Sequence, residues 1–193
     1  DDFRLEHLPL AANEPAEVIR RRLSLVEQLN RQTEYLNDNA LAGSLHESQQ
    51  KALDVVGAEE VRRAVDLAGA DPAERERYGR NLFGQSVLLG RRLLEAGARL
   101  VQCNWQRAQG ANGFAWDTHW NNFSAHREDL VPPYDQAFNA LMTDLDREGK
   151  LDETLVVFGG EFGRTPMLQG DADERAGRDH HKEAFTLWMA GGG

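Results

Sequence analysis

The spacing of hydrophobic residues changes character near Tyr78. Before it the chain is polar, with apolar residues at helical spacing. After it, amphipathic stretches and short apolar runs alternate, which predicts helix and strand in turn. In the N-terminal region, Val18, Leu23, Leu25, Val26 and Leu29 predict a helix that begins near Pro15, a good first-turn residue. Tyr35, Leu36, Leu41, Leu45 and Leu53 predict a second helix over 33–56, which Gly43 interrupts. Short helices are expected at 58–67 and after Asp71-Pro72, where an N-cap residue precedes a proline.

Further on, Val87, Leu88, Leu89, Leu93 and Leu94 give 85–96 a broad apolar helical face, and Gly97 caps it. Leu100, Val101, Cys103 and Trp105 make 99–105 a buried strand. Residues 108–122 form a loop rich in Gly and Asn. Pro132-Pro133 opens a helix to about Arg147, with Tyr134, Phe138, Leu141 and Leu145 as its core stripe, and Gly149 ends it. The β-branched run 154–158 predicts a buried parallel strand, 161–183 a polar loop, and 185–190 the last strand. The order predicts an α/β fold with a mostly parallel sheet flanked by helices, behind a helical N-terminal region. The expected division is a helical region at 1–80 and the α/β part at 81–193.

Composition narrows the function. Of 193 residues, 40% are hydrophobic and 28% charged, a globular balance. The net charge of −10 argues against nucleic acid and anionic membrane surfaces as partners, which call for a Lys/Arg surplus. The single cysteine, Cys103, excludes an intramolecular disulfide and a Cys-based zinc site, and its apolar run predicts a buried small hydrophobe. No run reaches the length of a membrane span. The start Asp1-Asp2-Phe3-Arg4 is not a signal peptide and lacks an initiator Met, so the chain reads as an interior piece of a longer protein.

Three polar motifs carry the candidate chemistry: Trp116-Asp117-Thr118-His119, Gly160-Glu161-Phe162-Gly163-Arg164-Thr165-Pro166, and Gly177-Arg178-Asp179-His180-His181. Two follow predicted strands and the third precedes one, where open α/β sheets bind ligands. Asp117 and His119, two apart, share one side of an extended chain and can hold one cation; the alternative is a turn-capping Asp beside a surface His. Glu161 stands at a strand end, placed to bind metal, and Arg164 offers a planar fork to a phosphate or sulfate oxygen. The alternative there is an Arg164–Glu161 ion pair. One of His180 and His181 can complete a metal site, since neighbours in extended chain face opposite ways. Arg178 is a second anion contact or a solvated charge. His7, His46 and His126 read as surface residues, and Trp188 as core.

At these residues the chain resembles the domain of unknown function 1501 family, of the alkaline phosphatase/sulfatase superfamily. The resemblance covers roughly 77–193: Arg77-Tyr78-Gly79-Arg80, Gly84-Gln85-Ser86, Arg91-Arg92-Leu93-Leu94-Glu95-Ala96-Gly97, Leu151-Asp152-Glu153-Thr154-Leu155-Val156-Val157 and the three polar motifs. Two departures are Trp120, where Gly often follows the His, and His181, where an aromatic residue is usual. The resemblance implies an alkaline-phosphatase-like fold and a two-metal site of zinc or similar divalent ions. Asp117, His119, Glu161 and His180 are the implied ligands, and His180 is preferred to His181 because it holds the Arg-Asp-His position. It further implies hydrolysis of a small-molecule or polysaccharide phosphate or sulfate ester, and export to the periplasm. The superfamily's nucleophile, a Ser or Thr after the first strand, finds no counterpart here. The chain is therefore expected to be a domain truncated at both ends and inactive alone; a non-catalytic binding member without metal is the alternative.

Overall fold

The structure is a computed structural model that describes residues 58–105, 115–173 and 175–192, with Arg21 and Ser24. The two helices expected before residue 57, and His7 and His46, lie outside the described residues. The chain divides into two compact units, 2–66 and 67–193. In the first, α1 (Glu59–Val65) carries Glu59 and Glu60 in its first turn and Arg62 and Arg63 in its last, as the helix dipole favours.

The second unit opens with α2 (Pro72–Tyr78), where Asp71 caps the Ala73 N–H at 2.9 Å. Helix α3 (Leu82–Glu95) begins three residues ahead of the apolar face read from sequence, because the Asn81 side chain caps the Gly84 N–H at 2.9 Å. The next helical stretch also starts early. It runs from α4 (Asn122–Ser124) through a π-helical segment (Ala125–Leu130) into α5 (Val131–Arg147). Pro132 and Pro133 lack an N–H, so the ordinary ladder cannot run through them, and the Val131 N–H bonds back five residues to the His126 carbonyl.

A buried ion network ties α2, α3 and α5. Asp144 is fully buried. It accepts from both Arg77 Nη atoms at 2.8 Å and from the Tyr78 hydroxyl at 2.9 Å. Arg91, 5% exposed, pairs with Glu74, Glu95 and Glu148. Gln85, also buried, donates to the Arg75 and Gly79 carbonyls. At Gly84 a Cβ would lie 1.9 Å from the Tyr78 carbonyl oxygen, so only glycine lets α3 approach the end of α2. The motifs at 77–80 and 84–86, together with Arg91, thus hold the helices together.

The fold is mixed α/β, but the expected parallel sheet is not what the described strands form. β1 (Val156–Gly159) pairs antiparallel with β4 (Leu187–Ala190), with Gly159 opposite Leu187. The chain leaves β1 and enters β4 at the same end. A parallel neighbour needs a crossover, usually through a helix. Here the intervening segment holds no helix among the described residues, only β2 (Gly163–Arg164) and β3 (His180–His181), which pair antiparallel. One face of β1–β4 meets α5, where Phe138 lies 6.1 Å from Phe158 and 4.8 Å from Trp188. On the other face the opposed Val157 and Met189 are 50% and 57% exposed. Trp188 packs on Phe138 yet remains 41% exposed, less buried than expected.

The segment 99–105 is not a buried strand either. It has no strand partner among the described residues, so no sheet covers it, and Leu100 is exposed. Cys103 is an exposed residue, although its sulfur rests on α3, 3.4 Å from the Ser86 carbonyl. Burial of the sulfur there pushes the thiol above its ordinary value.

Candidate metal centre

The site is assembled from three backbone segments. The first is fixed by Trp116, whose ring stands edge-on to Trp105, His126, Tyr134 and Phe158 at 5.4–6.1 Å. From that anchor the chain alternates. Thr118 is buried and donates to Asn122 Oδ1 at 2.6 Å, while Asp117 and His119 turn the other way. Asn121 then adopts a left-handed conformation (φ 50°) that leads into α4.

The second segment, 175–178, runs along the first. The N–H groups of Asn121 and Asn122 donate to the carbonyls of Arg175 and Ala176, and the Arg178 N–H donates to the Thr118 carbonyl. Gly177 permits this approach: a Cβ there would lie 1.8 Å from the His119 carbonyl oxygen. The third segment is the β2–β3 pair, where Arg164 stands directly opposite His180. Cross-strand neighbours share a face, so both side chains reach Asp117.

Three atoms meet as a nearly equilateral triangle. Asp117 Oδ1 lies 2.9 Å from His180 Nε2 and 3.0 Å from His119 Nε2, and the two Nε2 atoms lie 3.1 Å apart. Zinc holds imidazole nitrogen and carboxylate oxygen at ~2.0–2.2 Å, and neighbouring ligands of a tetrahedron at that radius are about 3.3–3.6 Å apart. Outward movement of a few tenths of an ångström would admit such an ion above the triangle. One oxygen and two imidazole nitrogens also form a donor set suited to zinc-like ions. The residues present therefore fit a divalent metal.

Arg164 reaches the same oxygen, with Nη2 2.7 Å from Asp117 Oδ1, and donates to the Trp116 and Arg178 carbonyls. Hydrogen bonds from His180 and from Arg164 hold the Asp117 carboxyl down at about 2. Arg164 thus pairs with Asp117, where the sequence had offered Glu161. Glu161 itself is exposed just past β1 and stands outside the trio. His181, one step along β3, turns away and accepts from the Glu183 N–H at 3.2 Å. Arg178 donates to the Thr165 carbonyl at 2.6 Å and lies 5.5 Å over the Phe123 ring. His126 is half-buried, with Nδ1 2.6 Å from the Asn122 carbonyl.

Two residues of the site escaped sequence reasoning. The Thr165 N–H donates to the Asp179 carbonyl, and its hydroxyl accepts from the Asp179 N–H, locking β2 beside β3. Its place after Arg164 in the second polar motif was the available signal. Gln169 places Oε1 2.8 Å from His119 Nδ1. Nothing distinguishes it in sequence from other polar loop residues.

A sequence model of the family described as "Protein of unknown function (DUF1501)" matches residues 5–193. Neither a curated protein nor a solved structure matches the chain.

Proposed function

The chain belongs to the DUF1501 family, and on that premise we propose that it forms part of a metal-dependent hydrolase of phosphate or sulfate esters, akin to the alkaline phosphatase/sulfatase superfamily. The observation that carries this reading is the triangle of Asp117 Oδ1, His119 Nε2 and His180 Nε2. It rests on the site and on the order of the motifs, and not on the sheet.

In this reading Asp117, His119 and His180 hold a divalent ion. Glu161, exposed at the end of β1, is the further ligand for a second one. Such ions supply Lewis acidity, lowering the pKa of water and neutralising charge that develops on an ester. The chain's own residues do the rest. Trp116 anchors the Asp117 backbone in the aromatic cluster. Arg164, beside the ion position, orients the Asp117 carboxylate and presents a planar donor fork to an anionic ester oxygen.

A second reading, a binding protein of the same fold without metal, is favoured by one observation. The Arg164–Asp117 pair at 2.7 Å already neutralises the carboxylate. Elemental analysis of the intact protein separates the two. The hydrolase reading expects stoichiometric divalent metal that Asp117→Ala and His180→Ala lose along with esterase activity. Wild-type protein without metal, or variants that keep both metal and activity, would sink it.

A further inference from the structure

His119 has two ring nitrogens, and only Nε2 belongs to the triangle. Nδ1 faces away from it, 2.8 Å from Gln169 Oε1. The other oxygen near Nδ1, Asp179 Oδ1, is 3.8 Å away, beyond hydrogen-bond reach. Gln169 is not a casual neighbour. Its N–H donates to the Gly177 carbonyl at 2.8 Å, and its carbonyl accepts from the Gly177 N–H at 2.9 Å. Gly177 in turn abuts the His119 peptide, which a Cβ there would strike. One contiguous run of backbone contacts therefore sets the Gln169 side chain beside the His119 ring.

We propose that Gln169 is the positioning residue of the metal centre, its side-chain carbonyl accepting the Nδ1 proton of His119 so that Nε2 presents a lone pair to the ion. The inference rests on the metal-binding reading. A neutral imidazole carries one N–H, so fixing the proton on Nδ1 frees Nε2. Partners of this kind orient ligating histidines and raise their basicity. With the carboxamide reversed, its NH2 group would demand the Nδ1 lone pair and drive the proton onto Nε2, into the triangle against Asp117. The two orientations of one amide thus correspond to an ion-accepting and an ion-rejecting ring.

The test uses zinc as the probe, with chelator competition on the intact protein. Gln169→Leu, which removes the acceptor, should weaken zinc binding by about 10–100-fold. Gln169→Glu, which can only accept, should restore it to within a few fold. In the zinc-loaded protein, the Nδ1 proton of His119 should be visible by nitrogen-edited NMR in wild type and Gln169→Glu, and lost in Gln169→Leu. Gln169 is exposed, so an unchanged circular dichroism spectrum is expected to accompany the loss. If wild type binds zinc and Gln169→Leu binds it equally, the role of Gln169 is overturned and the metal site stands. A loss that Gln169→Glu does not rescue overturns that role too. If wild type binds no zinc, the metal site itself falls, and this inference with it.

Discussion

His119 and His180 are 61 residues apart in sequence, and their Nε2 atoms lie 3.1 Å apart. Two imidazole nitrogens at that distance, both near one carboxylate oxygen, need a proton or a cation between them. The arrangement makes the affinity of the site for zinc a direct measure of its geometry. His180→Ala should lower that affinity by at least about 100-fold, more than loss of an outer partner costs. His181→Ala, whose ring serves the Glu183 N–H, should leave zinc binding within about threefold, below even the loss of an outer partner. Isothermal titration with zinc reads both; equal losses would place the wrong histidine at the site.

Arg164 and His180 share the duty of holding Asp117 ionised. In metal-free protein the Asp117 carboxyl titrates at about 2. With Arg164→Ala it should rise part of the way toward the ordinary ~3.9, because the His180 bond remains. The sign follows from a folded value below the unfolded one. The stabilisation is present above pH ~4 and is lost as pH falls toward 2. Asp117 is more than half exposed, so solvent screening keeps the effect under ~1 kcal/mol. Carboxyl-carbon NMR across pH 1.5–5 (roughly the span around both values) measures the shift; an unmoved titration would remove Arg164 from the account.

Gly177 and Gly160 belong to two of the polar motifs and should respond differently. A Cβ at Gly177 would sit 1.8 Å from the His119 carbonyl oxygen, against backbone that cannot swing aside. Gly177→Ala should therefore cost at least about 1–3 kcal/mol and separate Gln169 from His119. At Gly160 the nearest atom would be 3.7 Å away, an ordinary contact. Gly160→Ala should stay within about 0.5 kcal/mol. Urea denaturation of both variants makes the comparison, and equal effects would contradict the packing at 177.

Asp144 should matter more to stability than any residue of the site. Burial pushes its carboxyl up, but hydrogen bonds from Arg77 and Tyr78 outweigh that and hold it below its ordinary value. Asp144→Asn takes from Arg77 and the Tyr78 hydroxyl the buried carboxylate they bond and should cost about 3–5 kcal/mol. The wild-type contribution is present above the ordinary ~3.9 and is lost as pH falls through the lower folded value. Thermal melts of wild type should thus drop as pH falls below about 4, and those of Asp144→Asn should drop less there. Parallel pH curves would show that Asp144 is not the group responsible.

Sequence by itself located helices at 58–67, after Asp71-Pro72, at 85–96 and from Pro132 to about Arg147, which the structure sets at 59–65, 72–78, 82–95 and 131–147, because apolar spacing, caps and breakers act within a few residues. It also showed which motifs hold the polar candidates, while the preference for His180 over His181 came from the family resemblance. Only the tertiary structure decided the direction in which β1 and β4 pair, since strand periodicity is the same for parallel and antiparallel neighbours. It alone set Arg164 on Asp117 rather than on Glu161, because that choice depends on β2 lying beside β3. It alone revealed Gln169 and the buried Asp144 network, whose partners stand 50 and up to 67 residues away. Local pattern reports the period of a segment and the chemistry it carries; which distant segment it meets is fixed by packing, and this candidate site consists of such meetings.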